Sequence, residues 1–180
     1  MNYHLFALVN GWAGSHDPID DLFEWAATWL IFVMAALTVV PGRVLIRPGA
    51  RTVPLRVGAS LVLALGIGQA VGRLAHEPRP FQTHVVHQLI PHAADASMPS
   101  DHATVAFALA VAVWVFLSRP WGIALTVLAT VIGFARVWTG VHYPGDIAAG
   151  ALIGAAAVTL IVTGERLARR VRESRRASSP

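Results

Sequence analysis

The chain has 180 residues, of which 55% are hydrophobic and only 13% are charged. This composition is too apolar for a soluble domain of this size and indicates a membrane protein. The absence of cysteine excludes disulfides and thiolate metal sites. All 14 basic residues are Arg, and the pI is near 11. In a membrane protein, basic segments of this kind usually face anionic lipid headgroups. We therefore expect membrane lipids, and no nucleic acid, among its partners.

The first predicted element is a short amphipathic segment within residues 1–15. No basic region precedes its apolar side chains, so we expect no cleaved signal peptide there. Its apolar part covers about a dozen residues, which is too few for a span of roughly 20. We predict that it lies at the membrane interface. Its apolar residues are Leu5, Phe6, Leu8, Val9 and Trp12.

Five nearly uncharged windows follow, at residues 22–40, 57–74, 103–117, 121–138 and 147–163. Several are near the lower limit for a span, about 17 residues, but five in one short chain favour a polytopic membrane protein over five buried core helices. The predicted fold class is all-α: a polytopic transmembrane helix bundle of about five spans with a short N-terminal interfacial helix. Gly150 and Gly154 form a GxxxG pair, which predicts close helix packing.

The sequence predicts one integral-membrane domain over residues 1–168 and a basic tail over residues 169–180. We find no internal repeat and no soluble second domain. The tail, RRVRESRRASSP, is polar, and we expect it to fray.

The placement of arginine predicts the orientation in the membrane. Five spans put eleven of the fourteen Arg on one side. By the positive-inside rule this side is cytoplasmic, and the C-terminus lies on it. These arginines are Arg43, Arg47, Arg51, Arg56, Arg119 and six in the C-terminal segment from residue 166. We therefore predict a multi-pass protein of the cell membrane.

Polar residues gather at the opposite, extracytoplasmic ends of the predicted spans. Arg73, Arg79 and Arg136 lie there against the charge rule, together with all eight His. An Arg near the hydrocarbon is costly and marks a functional site. An anion bound between the three arginines would account for their position.

The order of these polar residues predicts a phosphate site with its own nucleophile. Ser100 precedes an apolar run and is predicted to cap a helix, whose free N–H groups would bind phosphate. Arg79 and Arg136 can add planar guanidinium groups. His142 and Asp146 are spaced i, i+4, so the carboxylate can hold one imidazole nitrogen and leave the other free to attack. His102 can act as the general acid that protonates the leaving group.

Each of these residues also has an ordinary structural explanation. Ser100 and Asp101 can simply cap a helix, and Asp146 can complement a helix dipole. His102 or His142 can be a hydrogen-bonded interface histidine, and an arginine can extend to lipid headgroups. All of these explanations would have to hold at once on one face of the membrane, which favours a common phosphate site.

Taken in chain order, the motifs resemble those of the type 2 phosphatidic acid phosphatase superfamily of lipid phosphatases and vanadium haloperoxidases. The signature of that superfamily is K-x6-RP, PSGH and SR-x5-H-x3-D. Here its parts read RP at Arg79, PSDH at Pro99 and RVWTGVHYPGD at Arg136. The context HAADASMPSDHAT with GVHYPGD looks most like the bacterial undecaprenyl-diphosphate phosphatases, which have Asp where other branches have Gly.

The resemblance implies a function and a role for each motif residue. His142 would form a phosphohistidine, Asp146 would orient it, and His102 would protonate the departing oxygen. The phosphoryl group would be held by Arg79, Ser100 and Arg136. Neither a metal nor another cofactor would be required. The reaction would hydrolyse undecaprenyl diphosphate to undecaprenyl phosphate on the extracytoplasmic side, recycling the lipid carrier of peptidoglycan synthesis.

Three departures from the signature bear on the site. Gly72 stands where the motif has lysine, and Arg73 is one residue out of register, a rotation of roughly 100° on a helix. We keep Arg73 as a candidate phosphate ligand. Ala135 replaces the motif serine. Asp101 brings a negative charge near the phosphate, and we predict that it serves His102 by favouring the imidazolium.

Other functions stay open at this stage. The same motifs fit a phosphatidate or phosphatidylglycerophosphate phosphatase, with only the lipid cleft different. A haloperoxidase is disfavoured because those enzymes are soluble. An inactive lipid-binding relative is disfavoured because His102, His142 and Asp146 are all present. A metal transporter is a remote alternative of another class, with a site built from His84, His87, His92 and Asp95. The sequence gives no indication of oligomeric state.

Overall fold

A computed structural model describes residues 2–45 and 52–177 of the chain. Within these ranges every regular element is a helix, so the predicted all-α fold class is confirmed. The helices are α1 (Asn2–Asn10), α2 (Asp17–Thr28), α3 (Leu30–Leu45), α4 (Thr52–Ala75), α5 (Pro80–Thr83), α6 (Asp101–Phe116), α7 (Arg119–Trp138) and α8 (Pro144–Ala177). Arg47 and Arg51, which carry part of the orientation prediction, lie outside the described residues, and so do residues 178–180 of the predicted tail.

Within the described ranges, three helical segments are long and apolar enough to cross a membrane. The first is formed by α4 together with α5, the second is α7 and the third is α8. Together α2 and α3 also meet this criterion, but the chain bends by 52° between them. The first predicted window is therefore a broken helix. The helix that corresponds to window 103–117 is α6, which has only 16 residues. At 1.5 Å per residue it covers roughly 24 Å of a hydrocarbon core about 30 Å thick. The multi-pass bundle is confirmed. One of the about five predicted spans corresponds to α6, which is shorter than the hydrocarbon core is thick.

The short helix α6 lies at the centre of the bundle and packs against α3, α4, α7 and α8. Its alanines, such as Ala106 and Ala110, are completely buried. Gly150 and Gly154 let α8 approach closely, because a Cβ at Gly154 would lie 2.6 Å from the backbone nitrogen of Ala108. The close packing predicted from the GxxxG pair is confirmed. It brings the start of α8 beside the start of α6.

The N-terminal helix α1 is more than an interfacial segment. Leu8 and Trp12 are exposed, as predicted, but Phe6 is 1% exposed and packs edge-on against Tyr143. Asn10 is buried, and its Nδ2 donates to the carbonyl oxygens of His87 and Trp138, both at 2.8 Å. This helix therefore fastens the segment between α5 and α6 to the end of α7.

The last helix extends further than predicted. Residues 169–177 continue α8 without a break, so the expectation that the tail frays from residue 169 is wrong for these residues. An ion pair of 2.7 Å between Arg56 and Glu165 ties α4 to α8. Both residues lie far from the end of the bundle at which α4 and α7 finish and α6 and α8 begin. That end, called the site end below, holds every predicted functional residue.

Candidate active site

A cavity of about 300 Å³ opens at the site end. Arg79, His102 and His142 line it, one from each of the three predicted motifs. Arg73 and Asp101 line it as well. Residues separated by more than sixty positions in the sequence are thus brought to one small space, because the ends of α4, α6 and α8 meet there.

His142 and Asp146 form the predicted pair. Nδ1 of His142 lies 3.3 Å from Oδ2 of Asp146, and both side chains are buried. The tight turn before His142 depends on Gly140, which has a φ of +81° and no room for a Cβ against the carbonyl oxygen of His87. Because the carboxylate accepts a hydrogen bond from Nδ1, the proton of the neutral ring is assigned to that nitrogen. The lone pair of the neutral ring is then on Nε2, where it faces Nη1 of Arg79.

The surroundings of His142 keep it neutral. Burial lowers the pKa of its imidazole well below the ordinary value of 6.5, and the positive charges of Arg136 and Arg79 lower it further. A protonated ring has no lone pair with which to attack phosphorus. The low pKa therefore matches the requirement for a nucleophile at neutral pH.

Arg79 is held beside His142. Its Nη1 lies 3.1 Å from Nε2 of His142 and donates to the carbonyl oxygen of Val141 at 3.0 Å. Its Nε donates to Oδ1 of Asp95 at 2.8 Å. The side chain is 4% exposed, so its charge acts in a poorly solvated space. A phosphoryl group reaching His142 would meet this guanidinium directly.

Arg136 is a buried cation that forms no ion pair with any of the residues that the structure describes. It lies in the last turn of α7 and is 3% exposed. Its Nη1 donates to the carbonyl oxygen of Ala27 at 3.4 Å, while Nε and Nη2 have no partner among the described residues. A buried guanidinium left in this state is costly unless an anion joins it. The arrangement fits the predicted role of Arg136 in holding phosphate.

Ser100 caps α6, as predicted. Its Oγ accepts a hydrogen bond from the backbone N–H of Ala103 at 3.4 Å, and its own N–H donates to the carbonyl oxygen of Asp146 at 3.2 Å. The residue is completely buried. The cap therefore ties the second motif to the third. Direct contact between Ser100 and phosphate stays a prediction.

Asp101 does not have the predicted partner. Both of its carboxylate oxygens lie 3.4 Å from Nε2 of Gln69 on α4. No hydrogen bond or ion pair joins Asp101 to His102, although both residues belong to the part of the chain that the structure describes. The physical reason is that consecutive residues of a helix point in different directions. The direct contact between Asp101 and His102 is therefore not formed, and the electrostatic effect of Asp101 on the imidazolium stays a prediction.

The missing motif lysine has a steric explanation. A Cβ at Gly72 would lie 3.3 Å from the carbonyl oxygen of Met98, so this position of α4 is pressed against the segment that precedes α6. A side chain there would require this segment to move by a few tenths of an ångström. Arg73 faces the same cavity as Arg79. Its part in binding phosphate stays a prediction.

Sequence reasoning missed the role of residues 92–97, which precede the second motif. Oγ of the buried Ser97 donates to Oδ2 of Asp146 at 2.5 Å, and Asp95 binds Arg79. The ring of His92 lies edge-on to that of His142, with 6.0 Å between centroids. The signal available in the sequence was the position of this polar run directly before PSDH.

The alternative metal site is not assembled. No group of His, Asp and Glu that could hold a metal ion occurs among residues 2–45 and 52–177. His84 stacks on Tyr3 with 4.0 Å between ring centroids, and Asp95 is engaged with Arg79. Nδ1 of His92 lies 3.9 Å from Asp95. The four residues proposed for that site are thus divided between different contacts.

Together, the bundle and the site define a class of protein: a multi-pass membrane protein with a cavity lined by Arg73 and Arg79 and a buried histidine paired with a carboxylate. The model of the PAP2 superfamily matches residues 54–170. The chain belongs to this superfamily.

Comparison with individual proteins agrees with this assignment. The chain is 35% identical to the undecaprenyl-diphosphatase BcrC of Bacillus subtilis, over 90% of this chain and 80% of that protein. It is 34% identical to the putative undecaprenyl-diphosphatase YbjG of Escherichia coli, over 86% and 77% of the two chains. The crystal structure of Aquifex aeolicus LpxE superposes with a TM-score of 0.74 at 24% identity, covering 90% of this chain and 94% of that one. This last likeness shows a common fold.

Proposed function

We propose that the protein is a membrane phosphatase that hydrolyses undecaprenyl diphosphate to undecaprenyl phosphate and inorganic phosphate through a phosphohistidine on His142. One observation carries the proposal: Nε2 of a neutral imidazole, held by Asp146, lies 3.1 Å from Nη1 of Arg79. The undecaprenyl-diphosphatases among the relatives support this choice of substrate. The role in the cell would be the recycling of the lipid carrier of peptidoglycan synthesis.

In the first step the terminal phosphoryl group binds between Arg79 and Arg136, whose charges stabilise its oxygens in the transition state. The lone pair on Nε2 of His142 attacks phosphorus, and the bond from phosphorus to the bridging oxygen breaks. His102, on the cavity wall, gives its proton to that oxygen as undecaprenyl phosphate departs. The proton on Nδ1 stays with His142 and holds the bond to Asp146 while the ring carries positive charge.

In the second step water attacks the phosphorus of the phosphohistidine. His102, now neutral, accepts a proton from the water, and the bond between phosphorus and Nε2 breaks. Inorganic phosphate leaves, and both His102 and His142 return to their starting states. No step requires an oxidant, a reductant or a second substrate other than water.

The orientation and extent of the enzyme belong to the same proposal. The site end would face the extracytoplasmic side and the C-terminus the cytoplasm, as the arginine distribution indicates. Residues 1–168 would form the phosphatase domain and residues 169–180 its basic tail. The buried contacts of α1 with Tyr143 and His87 support including the N-terminal helix in that domain.

The test is phosphate release by the purified full chain in detergent with EDTA. Undecaprenyl diphosphate, phosphatidate and phosphatidylglycerophosphate are compared as substrates. We expect undecaprenyl diphosphate to be preferred and release to fall to background in His142→Ala. The matched control is His16→Ala, since His16 is exposed and lies away from the cavity. Unchanged release by His142→Ala would contradict the mechanism, and a preference for either glycerolipid would contradict the substrate.

A further inference from the structure

His92 is a histidine of the site that neither step of the proposed reaction uses. It lies in the segment between α5 and α6, and its side chain is 23% exposed. Its ring stands edge-on to that of His142, with 6.0 Å between the centroids and 77° between the planes. Its neighbours His142 and Asp95 both line the catalytic cavity. A titratable ring is thus held directly beside the proposed nucleophile.

Hydrogen bonding leaves one nitrogen of His92 unused. Nδ1 lies 3.3 Å from the carbonyl oxygen of Ala93, and Oδ1 of Asp95 is 3.9 Å away. Both oxygens are acceptors, so the proton of the neutral ring is assigned to Nδ1. Nε2 forms no hydrogen bond with the residues that the structure describes. It is therefore available to a ligand.

His92 also lies close to both histidines of the proposed reaction. A charge on its ring acts on His102 as well as on His142, and it acts on His102 more strongly than the charge of Arg79 does. The interaction between charges weakens as the distance between them grows. In the proposed reaction the phosphoryl group must lie between Nε2 of His142 and the acid His102. A phosphoryl group in that position would also lie beside the ring of His92.

The charges around His92 favour its neutral form until an anion arrives. Burial lowers the pKa of its imidazole below the ordinary value of 6.5, and the positive charges of Arg79 and Arg136 lower it further. Asp95 opposes this shift only in part. A phosphoryl group brings negative charge to the same place, and a nearby anion favours the imidazolium. The titratable and charged groups that surround the ring are Arg79, Asp95, His102, Arg136 and His142.

We propose that His92 is a further phosphate-binding residue, which takes up a proton from solvent when a phosphoryl group binds and donates from Nε2 to one of its oxygens. The inference rests on the proposed function, since that function places the phosphoryl group between His102 and His142. No covalent bond forms or breaks in this step. The ligand is the terminal phosphoryl group of the substrate, and free inorganic phosphate offers the same oxygens. The proton returns to solvent when inorganic phosphate leaves.

Calorimetry with inorganic phosphate tests the proton uptake. The full chain in detergent is titrated at pH 7 in two buffers of different ionisation enthalpy, which gives the number of protons taken up per phosphate bound. His92→Gln keeps an N–H donor but cannot be protonated. We expect this variant to take up fewer protons than the unmodified protein, by up to one per phosphate. His87→Gln is the matched control and should behave as the unmodified protein does, because His87 is an exposed histidine of the same segment whose ring lies beside Gly14.

Affinity and turnover give the second measurement. His92→Leu removes both the donor and the charge. We expect it to raise the Kd of inorganic phosphate and the KM for undecaprenyl diphosphate about tenfold each, the effect of one charge-assisted hydrogen bond. The value of kcat should change less, since His102 and His142 remain, and His92→Gln should fall between His92→Leu and the unmodified protein.

The outcomes separate this inference from the proposed function. Proton uptake by His92→Gln equal to that of the unmodified protein, or an unchanged Kd and KM in His92→Leu, would overturn the role of His92 and leave the proposed function intact. A rise in the Kd of inorganic phosphate without a rise in KM would overturn it for the substrate. If the unmodified protein released no phosphate from undecaprenyl diphosphate, the proposed function would fail, and the role of His92 with it.

A chemical modification of the native protein covers the case in which the His92 variants misfold. Diethyl pyrocarbonate acylates the unprotonated nitrogen of neutral imidazoles, and mass spectrometry of the peptides locates the product. Inorganic phosphate should protect His92, whereas the exposed His16 should react at the same rate with and without phosphate. Acylation of His92 at an unchanged rate in the presence of saturating phosphate would contradict the inference.

Discussion

The carboxylate of Asp95 accepts a hydrogen bond from Nε of Arg79 at 2.8 Å, while Nη1 of the same guanidinium lies 3.1 Å from Nε2 of His142. Burial alone would raise the pKa of Asp95, but the hydrogen bond and the charge of Arg79 outweigh it and hold the pKa below its usual value. Asp95 is therefore ionised at neutral pH. Its side chain is 63% exposed, so the ion pair adds little to stability. Its effect is to fix the direction in which Arg79 points.

The first prediction concerns this orientation. Asp95→Ala should lower kcat/KM about tenfold, because Arg79 loses the bond that aims it at the phosphoryl group. Its melting temperature should change little. Asp95→Asn keeps an oxygen that accepts from Nε, so it should retain most of the activity. If Asn and Ala were equally damaging, the positioning role would be ruled out.

The second prediction concerns pH. His142 attacks only when neutral, and its pKa lies below 6.5, so the acid limb of kcat/KM should lie below pH 6.5. On the acid side, activity should be lost as the pH falls through that lowered pKa. Arg136→Gln removes a positive charge that depresses the pKa of His142, so the acid limb should move to higher pH. The control is Arg119→Gln at the opposite end of α7. Both variants are assayed with the same substrate, so that the titration of the substrate's phosphate groups contributes equally to both pH profiles. Identical acid limbs in Arg136→Gln and the unmodified protein would refute the electrostatic account.

The third prediction concerns Ser97. Ser97→Ala removes a buried hydrogen bond to Asp146 and should cost about 1–3 kcal/mol of the free energy of unfolding. The looser carboxylate should lower kcat more than it changes KM, since substrate contacts remain. Ser60→Ala removes another buried hydroxyl, one bonded to the carbonyl oxygen of Arg56 away from the site, and should leave kcat unaffected. A normal kcat for Ser97→Ala would mean that the hydroxyl is not needed to hold Asp146.

The fourth prediction concerns the contact between α6 and α8. A Cβ at Gly154 would lie 2.6 Å from the backbone nitrogen of Ala108, so Gly154→Ala should destabilise the bundle by about 1–3 kcal/mol. Gly164→Ala is the control on the same helix, because a Cβ there meets nothing within 4 Å. It should be neutral or slightly stabilising, as expected for replacing glycine in a helix. Thermal unfolding in detergent measures both, and equal melting temperatures would contradict the packing argument.

The fifth prediction concerns orientation. Since the chain has no cysteine, single substitutions give clean labels. In intact cells a membrane-impermeant maleimide should modify Val85→Cys, at a fully exposed position of the site end, and should spare Arg172→Cys in the C-terminal part of α8. Permeabilised cells should show both labels. The reverse pattern in intact cells would invert the proposed topology.

The residues of the site were predictable from the sequence because each motif sits at a helix boundary. Proline and a capping serine place the start of α6, Pro144 places the start of α8, and the ends of neighbouring helices must meet on one face of a bundle. The contacts that join the motifs to one another were harder to predict from the sequence. The partner of Asp101 is Gln69, on a different helix, and only the packing of α4 against α6 brings the two together.

Other features escaped prediction for the same kind of reason. The bend between α2 and α3 carries no proline or glycine, so the apolar window reads as a continuous helix. The contact of Ser97 with Asp146 closes a loop of forty-nine residues, and no local pattern marks which serine of a polar segment will be buried. Long-range contacts of this sort depend on the final packing rather than on the periodicity of one segment.

The buried side of α1 changes where the functional unit begins. The family match starts at residue 54, yet Asn10 bonds to the backbone of both His87 and Trp138, and Oδ1 of Asn2 accepts from the N–H of Gly145 at the start of α8. Helix α1 thus stabilises the turn that positions His142. A shortened chain that kept all three motifs but lacked these first residues would retain the chemical groups and lose the framework that aligns them.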